Sequence, residues 1–165
     1  MKLVSTAMAL AALTVPANAQ MVTLTPEQIG EIFCMASTGN DMAPVTALLT
    51  GEMAAAISDA VSRNDASIAA APGDKPPLGD GLPWRSQPDY AHRCEVMSAT
   101  VSGPDATVEL RYSVSGAPDI TYINALNLRQ IAVETGLPPF WRIDNIDFQA
   151  DGGTMRQELL DAFAF

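Results

Sequence analysis

Residues 93–114 read RCEVMSATVSGPDATVELRYSV, and the fold is decided there. The second half alternates without a break. Val108, Leu110, Tyr112 and Val114 fall on one side, and Thr107, Glu109, Arg111 and Ser113 on the other. A period of two marks a strand with one buried face. The first half, Arg93–Val101, puts Met97, Ala99 and Val101 together, and Ser102-Gly103-Pro104-Asp105 supplies the turn between the two strands. The pattern continues downstream. Gly116-Ala117-Pro118-Asp119 turns the chain into a long strand from Ile120 to Val133, interrupted near Asn124–Asn127. Gly136-Leu137-Pro138-Pro139 turns it again, and FWRIDNIDF (140–148) is the last strand.

Helices flank this run of strands. Thr25-Pro26-Glu27-Gln28 is a helix start, with Thr as N-cap, Pro at the first helical position and Gln closing a capping box. Ile29, Ile32, Phe33 and Ala36 follow at helical spacing, Cys34 sits one position round from that stripe, and Gly39-Asn40 ends the helix. Asp41 is placed to cap a short second helix bearing Val45, Leu48 and Leu49. A third runs from Thr50-Gly51-Glu52 through Met53, Ile57 and Val61 to Arg63-Asn64. Thr154 and Gln157 start a terminal helix carrying Leu159, Leu160 and Phe163. Helices, then antiparallel strands, then one helix make an α+β domain, with the N-terminal helices packed on one face of a curved antiparallel sheet. Between helices and strands, residues 65–90 read as one long ordered loop. It opens DASIAAA and continues PGDKPPLGDGLPWRSQPDY, which holds five of the chain's 12 prolines.

The N-terminus carries an address. Lys2, an Ala-rich apolar run from Leu3 to Val15, Pro16 and the small residues of Ala17-Asn18-Ala19 match a secretory signal peptide cleaved after Ala19. Residues 20–165 then form a single domain in the periplasm or outside the cell. Gln20 follows the cut, so a lipid anchor on Cys is not indicated, and no later apolar run is long enough to span a membrane. With 48% hydrophobic residues among 165, the chain can bury a core, which argues against disorder. Lys+Arg number 9 against 19 Asp+Glu, and a net charge of −10 argues against sustained nucleic-acid binding. The two cysteines, Cys34 and Cys94, are expected to pair in an oxidising compartment as a structural staple, since redox C-x-x-C spacing is absent. Such a bridge would pin the first helix to the first strand.

PGDKPPLGDG (72–81) before the sheet and WRIDNI (141–146) in the last strand, taken with the order of elements, resemble the nuclear-transport-factor-2-like superfamily, and within it the secreted bacterial domain of unknown function 3828 family. The resemblance covers about residues 22–163. It implies a cone-like, cystatin-like roll of curved sheet and helices, whose interior serves in different members as isomerase or dehydratase site, ligand pocket or plain core. Fold alone therefore does not assign chemistry. No set of catalytic residues from that superfamily maps onto this chain residue by residue.

Candidate residues are few. His92, the single histidine, lies near Asp89 and Tyr90 and could serve as a general base, against the structural reading of a surface imidazole. Asp144 and Asp147, with Asp151 beyond, could act as acid/base groups or oxygen ligands; pairing with neighbouring arginines is the structural account, with Arg142 facing Asp144 or Glu134. Their spacing does not fit an EF-hand, and no metal or cofactor is called for. Asp74, Lys75, Asp80 and Arg85 stay wet in the loop, where Leu82 and Trp84 anchor it. The Trp84–Arg85 pair is the kind of feature a partner recognises. Tyr112 and Tyr122 serve as core aromatics or as a pocket wall. The expectation is a non-enzymatic binding or interaction module, taking a protein partner or a small ligand. The alternatives are a small-molecule enzyme using the cone interior and an accessory subunit of an envelope complex.

Overall fold

The computed structural model describes residues 23–87, 91–114, 116–133, 137–149 and 152–164. Residues 1–19, expected to be a signal peptide, and Asp89, Tyr90, Glu134 and Asp151 lie outside the described residues. Helix α1 (Pro26–Gly39) starts as its caps dictate: the Thr25 hydroxyl accepts from the Gln28 N–H, and the Gln28 side chain accepts from the Thr25 N–H at 2.9 Å. Asn40, in the left-handed region, ends it. Helix α2 (Ala43–Thr46) is a single turn, shorter than expected. Asp41 receives the Ala43 N–H at 3.1 Å, but Leu48 and Leu49 lie beyond the helix. Helix α3 runs Gly51–Ala70, capped by the Thr50 hydroxyl on the Met53 N–H, and passes through DASIAA at 65–70. The loop read as starting at 65 therefore starts at 71. Alanine's helix propensity carries the chain on until Pro72.

Five strands follow in a simple meander, β1 (Ala91–Ser102), β2 (Asp105–Val114), β3 (Ala117–Ile131), β4 (Phe140–Phe148) and β5 (Gly153–Thr154), all antiparallel in one curved, unclosed sheet. Helix α4 (Met155–Asp161) ends the fold, with the Thr154 hydroxyl accepting from the Gln157 N–H. The Gln157 side chain turns to Asp161 instead of completing a second capping box. The architecture is α+β.

The inward residues line up across the sheet. Val108 faces Leu126, which faces Ile146; Ala106 faces Leu128, which faces Ile143; Tyr112 faces Tyr122. Two bulges keep this order. In β1, Val96 pairs with Leu110 and Ser98 with Glu109, so Met97 is the extra residue. Met97 is therefore turned out and 41% exposed, while Cys94 and Val96 take the inward positions. In β4, Asn145 pairs with Asn127 and Ile143 with Leu128, so Asp144 is extra and Trp141, Ile143, Ile146 and Phe148 all stay buried. Strand β3 is continuous: Asn124–Asn127 pair with β2 in unbroken register, so the expected interruption is absent. The segment before α3 closes the far side, where the Thr50 N–H donates to the Ile143 carbonyl (2.9 Å) and the Ile143 N–H to that of Leu48 (2.8 Å).

Helix α1 lies against β1 and β2 and is fixed there twice. Cys34 and Cys94 form a disulfide across Cα atoms 5.1 Å apart. One turn earlier, Gly30 lets the helix sink onto the sheet, since a Cβ there would stand 2.8 Å from Val108 Cγ1 and 2.9 Å from Val96 Cγ2. Replacing Gly30 by Ala gains about 1 kcal/mol of helix propensity but forces two stiff valines apart. A net loss of roughly 1–3 kcal/mol is expected in denaturant unfolding, and an unchanged or raised midpoint would contradict the close approach. Reducing the disulfide, which closes a 60-residue separation, is expected to cost about 4 kcal/mol, read from the same unfolding curves with and without reductant.

Candidate functional site

The loop after α3 does not hang free. Residues 71–87 form a strap that folds back over the open end of the sheet, built from tight turns such as Gly79 N–H to Pro76 carbonyl and Gly81 N–H to Leu78 carbonyl. Gly79 and Gly81 both sit at positive φ, which the Pro-rich path requires. Leu78, Leu82 and Trp84 are half-buried against the core, and the Leu78 N–H donates to Asn64 Oδ1 at 3.0 Å. Asp74, Lys75 and Asp80 remain exposed, whereas Arg85, expected to stay wet with them, is half-buried.

Beneath the strap the sheet presents an unusually polar end. Tyr112 and Tyr122 stack with centroids 4.9 Å apart and an interplanar angle of 11°. The Tyr112 hydroxyl shares a 3.0 Å hydrogen bond with Ser37, one turn beyond Cys34 on α1. The Tyr122 hydroxyl donates to the Gln87 carbonyl at 3.1 Å. Asn124 is fully buried on the same face. Its carboxamide donates to Ser86 Oγ (2.9 Å) and the Ile123 carbonyl (3.1 Å) and accepts from the Ser86 N–H (3.3 Å). The strap thus supplies the partners that these groups need once out of water. Among the described residues no buried side-chain nitrogen or oxygen lacks one.

Burial pushes the Tyr112 phenol well above its ordinary value, against smaller pulls from the Ser37 hydrogen bond and the Arg85 charge. Burial likewise raises Tyr122, with Arg85 opposing. Arg85 therefore stands close enough for its field to reach both phenols. Sequence reading named the Trp84–Arg85 pair apart from Tyr112 and Tyr122, and the strap brings Arg85 to the end of the sheet where the tyrosines stack.

Two hollows flank the strap. The larger, about 420 Å³, lies between the strap and the β4–α4 corner. Leu78, Leu82, Trp84 and Phe148 form its apolar walls, and Asp80, Arg85 and Glu158 its charged ones. The smaller, about 290 Å³, opens toward the end of α1 at Ser37 and Asn40. Trp84 and Arg85 line both. Phe148, Glu158 and Ser86 were not singled out from the sequence. Asn124 was taken as a break in a strand, although its place between Tyr122 and Leu126 in the inward alternation is the signal that it belongs to the interior.

The other candidates lie elsewhere. His92 is exposed on the outermost strand and forms no hydrogen bond or ion pair with a described residue. Asp144 is held by two arginines: Oδ2 accepts from Arg129 (3.1 Å), while Oδ1 accepts from Arg156 (3.1 Å) and the Thr50 hydroxyl (3.1 Å). Arg142 is not its partner. That guanidinium lies over the Phe140 ring at 4.1 Å and donates to the Trp141 carbonyl. Neither His92 nor Asp144 lines either of these two hollows. No group of His, Cys, Asp and Glu able to hold a metal occurs among the described residues.

No family model, no curated protein and no solved structure matches the chain.

The tyrosine pair makes a pH prediction. A phenol whose folded pKa is raised above the unfolded value of about 10 stabilises the fold fully below that pH, and the contribution is lost as pH climbs beyond it. Absorbance at the phenolate band should show Tyr112 and Tyr122 ionising late, in step with collapse of the near-UV circular dichroism. Each of Tyr112→Phe and Tyr122→Phe should delete one late phenol. Ionisation of both near pH 10 with the fold intact would show that they are not held as described.

Proposed function

We propose that this chain is an exported, non-enzymatic binding protein that takes a small organic ligand against Trp84 and Arg85 on a nuclear-transport-factor-2-like scaffold. The observation that carries this reading is the placement of those two residues, half-buried in the strap and shared by both hollows. A volume of about 420 Å³ with apolar walls and a few charged groups falls in the range of small-molecule sites. Export is supported by the small residues at Ala17 and Ala19 and is compatible with the Cys34–Cys94 disulfide. No described helix is long and apolar enough to cross a membrane. The scaffold reading is supported by helices packed on a curved antiparallel sheet with a terminal helix.

Binding rather than turnover is favoured by what the ionisable candidates are doing. Asp144 is committed to Arg129 and Arg156, and His92 points into solvent from an edge strand. A small ligand is favoured over a protein partner because Trp84 packs against the body instead of projecting from it as an anchor.

A thermal-shift screen of the oxidised, signal-free protein against a library of small metabolites tests this. Ligands that bind the folded state raise its stability by about 2.7 kcal/mol at a hundredfold excess over Kd. At least one chemical class is expected to do so, and to lose at least about tenfold in affinity in the Trp84→Ala variant. Absence of any stabilising class, or hits indifferent to Trp84→Ala, would overturn the assignment.

A further inference from the structure

The larger hollow carries an unbalanced set of charges. Asp80 on the strap and Glu158 in the first turn of α4 are both exposed, and neither forms an ion pair with a described residue. Gly153 leaves room for the Glu158 carboxylate to lie back toward β5: a Cβ at that position would stand 3.3 Å from Glu158 Oε1. Among the described residues on these walls Arg85 is the one cation, and its field acts on the tyrosine hydroxyls of the sheet. The same hollow has apolar walls, with Trp84 and Phe148 as the aromatic members.

Aromatic rings attract cations through the negative potential of their faces, and tryptophan does so most strongly. The described residues already use this attraction, with Arg63 over the Phe163 ring at 4.2 Å and Arg142 over that of Phe140 at 4.1 Å. No side-chain cation lies over Trp84 among the described residues. The net charge of −10 adds a long-range field of the same sense.

From this arrangement we infer that the hollow takes a small organic cation, an amine carried on an aromatic or apolar body. The body lies against Trp84, Phe148, Leu78 and Leu82, and the ammonium group sits between Asp80 and Glu158. The inference rests on the binding reading above and names the ligand class for that site.

Three probes of nearly equal shape separate the alternatives: phenethylamine, 3-phenylpropionate and 2-phenylethanol, titrated calorimetrically into the oxidised signal-free protein. Phenethylamine is expected to bind at least about tenfold more tightly than the alcohol, and the anion more weakly than either. The double variant Asp80→Asn/Glu158→Gln changes two exposed side chains, and its fold is checked by circular dichroism. It should bring the amine down to the level of the alcohol. Raising ionic strength from about 0.05 to about 0.5 M should weaken the amine selectively. Equal or tighter binding of 3-phenylpropionate, or an amine affinity unmoved by the double variant, would overturn the cation assignment while leaving a site at Trp84. If none of the three binds, the cation assignment falls too, and the metabolite screen against Trp84→Ala then decides whether the binding reading stands.

Discussion

The attachment of α1 to the first two strands is the constraint on which the rest of this fold depends. A curved sheet with one apolar face is stable only when that face is covered. Here the cover over the first two strands is one amphipathic helix held covalently at Cys34 and sunk to contact distance at Gly30. The two fastenings lie four residues apart, about one helical turn, so they set both the height of the helix and its rotation. That rotation puts Ser37 over the Tyr112 hydroxyl. The polar end of the sheet is thus a downstream result of where the disulfide lies. In a domain of this size, a cross-link acting mainly on the unfolded chain supplements a modest core.

The parts of the fold legible in the sequence were those with a local cause. Thr25 and Gln28 announce a helix start by chemistry alone, the alternation from Thr107 to Val114 announces a strand, and two cysteines behind a signal-like N-terminus announce a bridge. What escaped was set by neighbours distant in sequence. Strict alternation puts Met97 on one side with Ala99 and Val101, yet the bulge opposite Leu110 and Glu109 makes it the extra residue. The β4 bulge was in fact visible: Trp141, Ile143, Ile146 and Phe148 are spaced two, three and two apart, which a strand can satisfy only with one extra residue. The candidate site was legible in its residue types but not in its assembly. Nothing local says that Ser86 will meet Asn124 across 38 positions, or that Phe148 and Glu158 will form the wall opposite Trp84.

Asp144 shows how an acidic residue in a suggestive setting is used structurally. As the extra residue of the β4 bulge it leaves the ladder, and its freed carboxylate gathers Arg129 from β3, Arg156 from α4 and the Thr50 cap of α3. Arg156 also donates through Nε to the Asp144 carbonyl at 3.0 Å. Four elements therefore meet on one side chain, only 19% exposed. Such a junction ties the second half of the chain together much as the disulfide ties the first, and it sets the β4–α4 corner that forms one side of the larger hollow.

The kinks of β1 bear on a hazard common to all open sheets. An outermost strand offers a row of unpaired amides and carbonyls to any similar strand it meets, the starting geometry for stacking into fibrils. This one is twelve residues long, but its register shifts near both Ala91 and Met97 prevent its free side from presenting a straight template. Arg93 and Glu95 add charge along it. The chain thereby keeps a long border without inviting its copies to join there.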